Sequence, residues 1–330
     1  MIGKLTERID ALENPSVVGL DPTQTMIPET VLLKMYGEYG KTPEAVSKAF
    51  VAFNRAVIDG IVDIVPAVKP QIAMYERFGL HGIAAYLETI EYAHEKGLLV
   101  IGDVKRGDIS STAEAYAAHI GGVDIGGVHF DPWQEDAVTL NPYMGSDGIL
   151  PFIEAAKAQD RAVFILIKTS NPSSAEVQDL LIAEESEDVL GAFAPRLGLL
   201  RRLTHDRPSV YEAVANLVGA WGEDSIGACG YSRVGGVVGA THPEQGTQLR
   251  AMLPHTFFLV PGYGAQGAAA GDLKGFFDED GRGCIINSSR GIIAAWKNEY
   301  DDPGRADLGT VESSARAAAL EMKEALRIIR

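Results

Sequence analysis

Eight short runs rich in Val and Ile recur along the chain, at residues 17–21, 67–72, 98–103, 137–141, 162–168, 236–241, 257–261 and 284–287. Most are followed by an amphipathic stretch. Apolar runs of this length suit strands buried on both faces, and helical connections between them suit parallel pairing. Eight such units predict a (β/α)8 TIM barrel, which ordinarily takes about 250 residues. The chain has 330, so a single barrel domain over 1–330 must carry loop insertions. The largest is expected at about 173–207, between the fifth and sixth strands. Its acidic run Glu184-Glu185-Ser186-Glu187-Asp188 reads as a solvated face. A second surplus, 121–133, carries paired glycines and reads as a loop. Helical signals fill the intervals: Thr42 as N-cap before Pro43, an i, i+3, i+4 stripe of Leu80, Ile83, Ala84, Leu87 and Ile90, a helix opening near Ser209, and a last helix over 311–329.

With 46% hydrophobic and 22% charged residues, the chain can bury a large core and is neither disordered nor collagen-like. Its 45 acidic against 29 basic side chains give a net charge of -16. That balance argues against nucleic acid or an anionic membrane as partner, since both need a cationic surface. A local basic pocket is still permitted. The two cysteines, Cys229 and Cys284, stand in separate segments and encode neither a disulfide framework nor a zinc cluster. The seven histidines form neither H-x-H nor H-E-x-x-H, so no metal is expected. A polar N-terminus and the lack of any long apolar run lead to an expectation of a cytoplasmic protein.

Active sites of such barrels sit at the C-terminal ends of the strands. That rule selects Asp21 in Gly-Leu-Asp-Pro, Lys69 in Val-Lys-Pro-Gln, and the run Asp103-Val104-Lys105-Arg106-Gly107-Asp108-Ile109. Strand periodicity of two places Asp103 and Lys105 on one side, sharing a small volume. A D-x-K pair is ordinarily a surface pair. Here the preceding run, Leu98-Leu99-Val100-Ile101-Gly102, is too apolar for an exposed segment, and a second lysine lies on the previous strand. The loops after the last two strands suit phosphate. Gly262, Gly264 and Gly267 allow close backbone approach, Gln266 can donate from its amide, and Asn287-Ser288-Ser289-Arg290-Gly291 offers backbone amides and a guanidinium. The same glycines spell G-x-G-x-x-G, but a dinucleotide site needs a βαβ unit with an acidic strand end further on. Asp278 and Asp280 instead lie in a polar turn. His242 reads as structural, and Trp133, Trp221 and Trp296 read as core or interface.

The stretch from Asp103 to Ile109, followed by Thr112, resembles the D-x-K-x-x-D-I-x-x-T signature of the orotidine 5′-phosphate decarboxylase family. Asp21, Lys69, Ser170 in Thr-Ser-Asn-Pro, Gln266 and Arg290 fall in that family's order, and the length resembles its longer bacterial subgroup. The resemblance implies a cofactor-free carboxy-lyase of pyrimidine (UMP) biosynthesis that converts orotidine 5′-phosphate to UMP and CO2. It implies a catalytic network of Lys69, Asp103, Lys105 and Asp108, in which Lys105 protonates C6 and Asp103 faces the substrate carboxylate. Asp21 and Thr112 are implied for the ribose hydroxyls and Ser170 for the pyrimidine amide edge. Gln266 and Arg290, with the loop of Gly262, Gly264, Gly267 and Ser289, are implied for the phosphate. A homodimer is implied as well, with Asp108 and Thr112 completing the partner's site. Metal-dependent sugar-phosphate lyases of the same superfamily share the D-x-K-x-x-D stretch but carry an acidic magnesium ligand where this chain has Lys69. A silent nucleotide-binding barrel would lose the Lys/Asp network, and a dehydrogenase would bind a nicotinamide cofactor.

Overall fold

The computed structural model describes residues 1–182, 207–264, 267–298 and 305–329. In chain order its strands are β1 (Ser16–Leu20), β2 (Ala67–Pro70), β3 (Leu99–Arg106), β4 (Val123–Ile125), β5 (Val128–Phe130), β6 (Ala137–Leu140), β7 (Ala162–Lys168), β8 (Val234–Val238), β9 (Phe258–Pro261) and β10 (Cys284–Ser288). Eight of them close a barrel in the order β1-β10-β9-β8-β7-β6-β3-β2, each neighbour paired in parallel. The (β/α)8 expectation is met, and all eight expected runs supply a strand.

Alternation along the strands sorts their side chains into two cores. Val17, Ala67, Leu99, Ile101, Ala137, Phe164, Leu259 and Ile285 share one apolar cluster with Ile2, Leu5 and Ile9 of the N-terminal helix Ile2–Leu12. Their neighbours Val18, Val68, Val100, Val138, Val163, Ile165, Val260 and Ile286 join the larger cluster with the surrounding helices. The first set fills the barrel interior, and the second faces the helical shell. Extending the interior parity toward the C-terminal ends reaches Lys69, Asp103, Thr139 and Asn287, all buried polar residues. Apolar packing below therefore fixes which polar side chains converge above.

Helix signals hold at the caps. The Ala45 amide donates to Thr42 Oγ1 at 3.3 Å, opening the helix Pro43–Ile61, and the Ser209 amide donates to Glu212 Oε2 at 2.7 Å ahead of Val210–Gly222. The last helix is Leu308–Arg327. Trp296 is buried and Trp221 packs against the core.

Three expectations need correction. The helix Gly79–Glu95 buries Gly82, Ala85, Tyr86, Thr89, Ile90 and Ala93, while Leu80 is 83% exposed and Ala84 is exposed. The face is set by close approach: a Cβ on Gly82 would lie 1.8 Å from the Tyr75 carbonyl oxygen. Within 121–133, read as a loop, β4 and β5 form an antiparallel hairpin. Its turn, Gly126-Gly127, has φ of 59° and 83°, the left-handed pair that a two-residue hairpin turn demands. β8 begins at Val234 and ends at Val238, shifted back from 236–241. The backbone turns at Gly239 to feed Pro243 into the helix Pro243–Met252.

Most of the expected insertion, including the acidic run 184–188, lies outside the described residues, as does Gln266. Among the described residues, no helix is long and apolar enough to cross a membrane.

Candidate active site

A cavity of about 620 Å³ opens at the C-terminal ends of the barrel strands. Asp21, Lys69, Gln71, Asp103, Lys105, Thr139, Ser170, Gly262, Asn287, Ser289 and Arg290 are among the residues lining it.

Asp103 is the centre of its polar wall. Lys69 Nζ donates to Asp103 Oδ2 at 2.6 Å and Gln71 Nε2 to the same oxygen at 2.9 Å. Lys105 Nζ donates to Asp103 Oδ1 at 2.5 Å and Thr139 Oγ1 to that oxygen at 2.7 Å. Two donors on each oxygen fill the acceptor sites of one carboxylate. Burial would raise the Asp103 pKa, but Lys69 and Lys105 beside it hold the carboxyl well below the usual range. For Lys69, burial disfavours the ammonium, yet Asp103 and Asp21 outweigh it and the pKa is raised. Both therefore stay ionised at neutral pH. Side-chain exposure separates the lysines: Lys69 is 5% exposed and Lys105 is 45% exposed. The deeper lysine anchors Asp103, while the shallower one keeps its ammonium at the cavity surface.

Lys105 reaches this place by a departure from regular strand geometry. The β3–β6 register jumps from Gly102↔Val138 to Arg106↔Leu140, so β3 holds two more residues than β6 across that interval. Lys105 sits in this bulge at φ 44°, a left-handed conformation rare for a residue with a side chain. Its side chain meets Asp103 as expected, although uninterrupted period-two alternation is not the reason.

The remaining sequence candidates divide clearly. Asp21 and Ser170 line the cavity. Among the described residues, the buried Oδ1 atoms of Asp21 and Asn287 have no hydrogen-bond partner, so two acceptors are left unmet on one wall. Gly262, Gly264 and Gly267 have φ of 108°, 72° and 102°, and the Gly264 and Gly267 amides bond within the loop, to Ala268 O and Gly264 O. Those two glycines shape the loop rather than present donors. The loop leads into the short 3-10 segment Ala270–Phe276, not the long helix of a dinucleotide fold. Arg290 opens the four-residue helix Arg290–Ile293 at the cavity rim. Asp108 and Thr112 are absent from this chain's cavity lining; Asp108 Oδ1 accepts from the Ile109 amide at 2.8 Å.

Sequence reasoning missed Gln71 and Thr139, and read Asn287 only as the start of the phosphate loop, not as a side chain of the polar wall. The signal for each was inward parity: Gln71 lies two residues beyond Lys69, Thr139 two beyond Ala137 and Asn287 two beyond Ile285. It also missed Lys168, fully buried at the end of β7 and paired with Asp179. His242 Nε2 lies 3.1 Å from Thr169 O, the structural role expected of it. Among the described residues, no group of three or more His, Cys, Asp or Glu side chains could hold a metal ion.

Comparison with known proteins points one way. Residues 17–195 match the family model described as Orotidine 5'-phosphate decarboxylase / HUMPS family. A protein named orotidine 5'-phosphate decarboxylase from Rhodopirellula baltica is 38% identical over 311 residues, covering 94% of this chain and 93% of the relative. One of the same name from Clostridium botulinum strain Langeland is 37% identical over 330 residues, covering 100% of both. The solved structure of Leishmania donovani OMP decarboxylase superimposes with a TM-score of 0.67 at 31% identity, covering 99% of this chain and 98% of that one.

Proposed function

We infer the chemistry of this cavity from one premise: the chain belongs to the orotidine 5′-phosphate decarboxylase / HUMPS family. It is a carboxy-lyase that decarboxylates orotidine 5′-phosphate to UMP and CO2. The reaction leaves a carbanion at C6 that the pyrimidine carbonyls delocalise poorly. Catalysis must therefore stabilise charge that appears only in the transition state.

The observation that carries the assignment of roles is the Lys69–Asp103–Lys105 chain on the cavity wall. In our reading Lys105 is the general acid. As the C6–carboxylate bond breaks and CO2 departs, its half-exposed ammonium stabilises the electron pair left on C6 and then transfers a proton to that carbon. Asp103 faces the substrate carboxylate and repels it until CO2 departs. Lys69 holds Asp103 and reaches the ribose. The unmet Asp21 acceptor suits a ribose hydroxyl, and Ser170 suits the pyrimidine amide edge. Arg290 and the backbone around Gly262 and Ser289 take the phosphate, with Gln266 assigned there from sequence alone. The cations meet the dianionic phosphate and the carboxylate locally, so the net charge of -16 is no obstacle.

The proposal extends to a cytoplasmic homodimer of single-domain barrels, each spanning 1–330 with the insertion at about 173–207. Asp108 and Thr112 would then enter the partner's cavity. Their position outside their own chain's cavity supports this, as do the exposed apolar side chains of Ile109 and Tyr116 beside them. Co-expression tests it. Lys105→Ala and Asp108→Ala should each be nearly inactive alone, whereas statistical mixing places one native site in each hybrid dimer and restores about a quarter of wild-type turnover. Two folded variants that regain nothing when mixed would overturn the shared site.

A further inference from the structure

Thr139 lies on β6 opposite the bulge of β3, between the paired positions Val138 and Leu140. It is 2% exposed. Its hydroxyl makes two bonds at once, donating to Asp103 Oδ1 at 2.7 Å and accepting from the Lys105 backbone amide at 3.0 Å. The second bond secures the residue whose φ is 44°.

A bulge removes ladder partners from the extra residues, and a left-handed non-glycine residue persists only where its surroundings hold it. A backbone N–H that the bulge removes from the ladder also gains from another acceptor. Thr139 answers both needs with one oxygen. Because a hydroxyl has a single proton, donation to Asp103 fixes its direction and turns its lone pairs toward Lys105. The orientation of the carboxylate and the backbone of the ammonium-bearing residue thus depend on the same atom.

We propose that Thr139 is a positioning residue for the decarboxylation, its hydroxyl locking the Asp103 carboxylate and the strained Lys105 backbone into one rigid unit. The inference rests on the roles given above to Asp103 and Lys105. It assigns Thr139 no direct part in binding substrate: the effect passes through the two charged residues. A hydroxyl is required rather than bulk, so a methyl of the same shape cannot replace it.

The test compares Thr139→Val with Thr139→Ser in the full-length protein. Valine keeps the volume and leaves the Lys105 amide without its acceptor, whereas serine keeps the hydroxyl. Thr139→Val should lower kcat about 10- to 100-fold with KM for orotidine 5′-phosphate and affinity for UMP within about threefold of wild type, on the usual range for a lost buried hydrogen bond. Thr139→Ser should recover most of kcat. UMP titration and thermal melting show whether each variant is folded; if Thr139→Val is not, Thr139→Ala, which also lacks the hydroxyl, takes its place and the same outcomes decide. Wild-type kcat in folded Thr139→Val overturns the inference, as does a loss confined to KM or a serine variant as slow as the folded valine variant. Inactive wild-type protein would instead remove the decarboxylase reading, and this inference with it.

Discussion

Replacing Lys105 with Ala separates catalysis from folding more sharply than any other single change at this site. The side chain is 45% exposed, and its ammonium pairs with Asp103 Oδ1 at 2.5 Å. After truncation Asp103 still receives Lys69, Gln71 and Thr139, so no buried charge is left unpaired. Only the lysine end of this pair is half-exposed, and three donors remain on Asp103, so the cost to folding is about 1–2 kcal/mol, which for a chain of this size corresponds to a Tm change of no more than about 8 °C. The catalytic loss has two sources. General acid catalysis contributes roughly 10²- to 10⁴-fold, and a positioned charge opposite a developing anion contributes roughly 10²- to 10³-fold. Together they predict that kcat falls about 10⁴- to 10⁷-fold, or about 5–10 kcal/mol of barrier. The assay follows loss of the orotate chromophore in single-turnover mode, with UMP binding measured in parallel by calorimetry. Near-normal turnover from folded Lys105→Ala would refute the assignment of Lys105 as the acid.

Two further changes probe the electrostatics around it. Arg290→Ala removes the rim guanidinium; KM for orotidine 5′-phosphate should rise about 10- to 150-fold, the usual range for a hydrogen bond to a charged group, while turnover of the phosphate-free nucleoside is unaffected. Unchanged kinetics with the nucleotide would place the phosphate elsewhere. Asp103→Asn tests the depressed carboxyl pKa, which burial opposes and Lys69 and Lys105 impose. A carboxyl depressed on folding stabilises the native state above its unfolded value, about pH 4, and that contribution fades as pH falls through the folded value. Calorimetry should find the Tm deficit of Asp103→Asn largest near pH 7 and narrower below about pH 4; a deficit independent of pH contradicts the pairing.

The parity of the strands made most of this site legible in advance. Val17, Ala67, Ile101 and Ile285 point inward, and two residues further along each strand lie Gly19, Lys69, Asp103 and Asn287, so the apolar pattern alone locates the polar wall. Parity failed at the bulge. Nothing in Asp103-Val104-Lys105 announces two extra residues or a left-handed Lys105, and the hydroxyl that accepts from the Lys105 amide lies on another strand. Thr139 is one of two polar letters, with Asn141, in the run 137–141. The stripe from Leu80 to Ile90 held at Ile83, Leu87 and Ile90, which pack on the core, and failed at Leu80 and Ala84: Gly82 and Thr89 are buried on that helix instead, and Thr89 accepts from Asn54 at 3.0 Å. Small and hydrogen-bonding residues there pack more closely than leucine can. The hairpin was legible in principle, since Gly126-Gly127 between β-branched residues is a turn signal.

The central claim is that this chain decarboxylates orotidine 5′-phosphate with its own side chains. Purified protein, treated exhaustively with chelator and assayed spectrophotometrically with orotidine 5′-phosphate, tests it most directly. Full turnover, with UMP and CO2 formed in equal amounts, is the predicted result. No absorbance change at high enzyme concentration would contradict the claim, as would activity that vanishes on chelation and returns with a divalent cation.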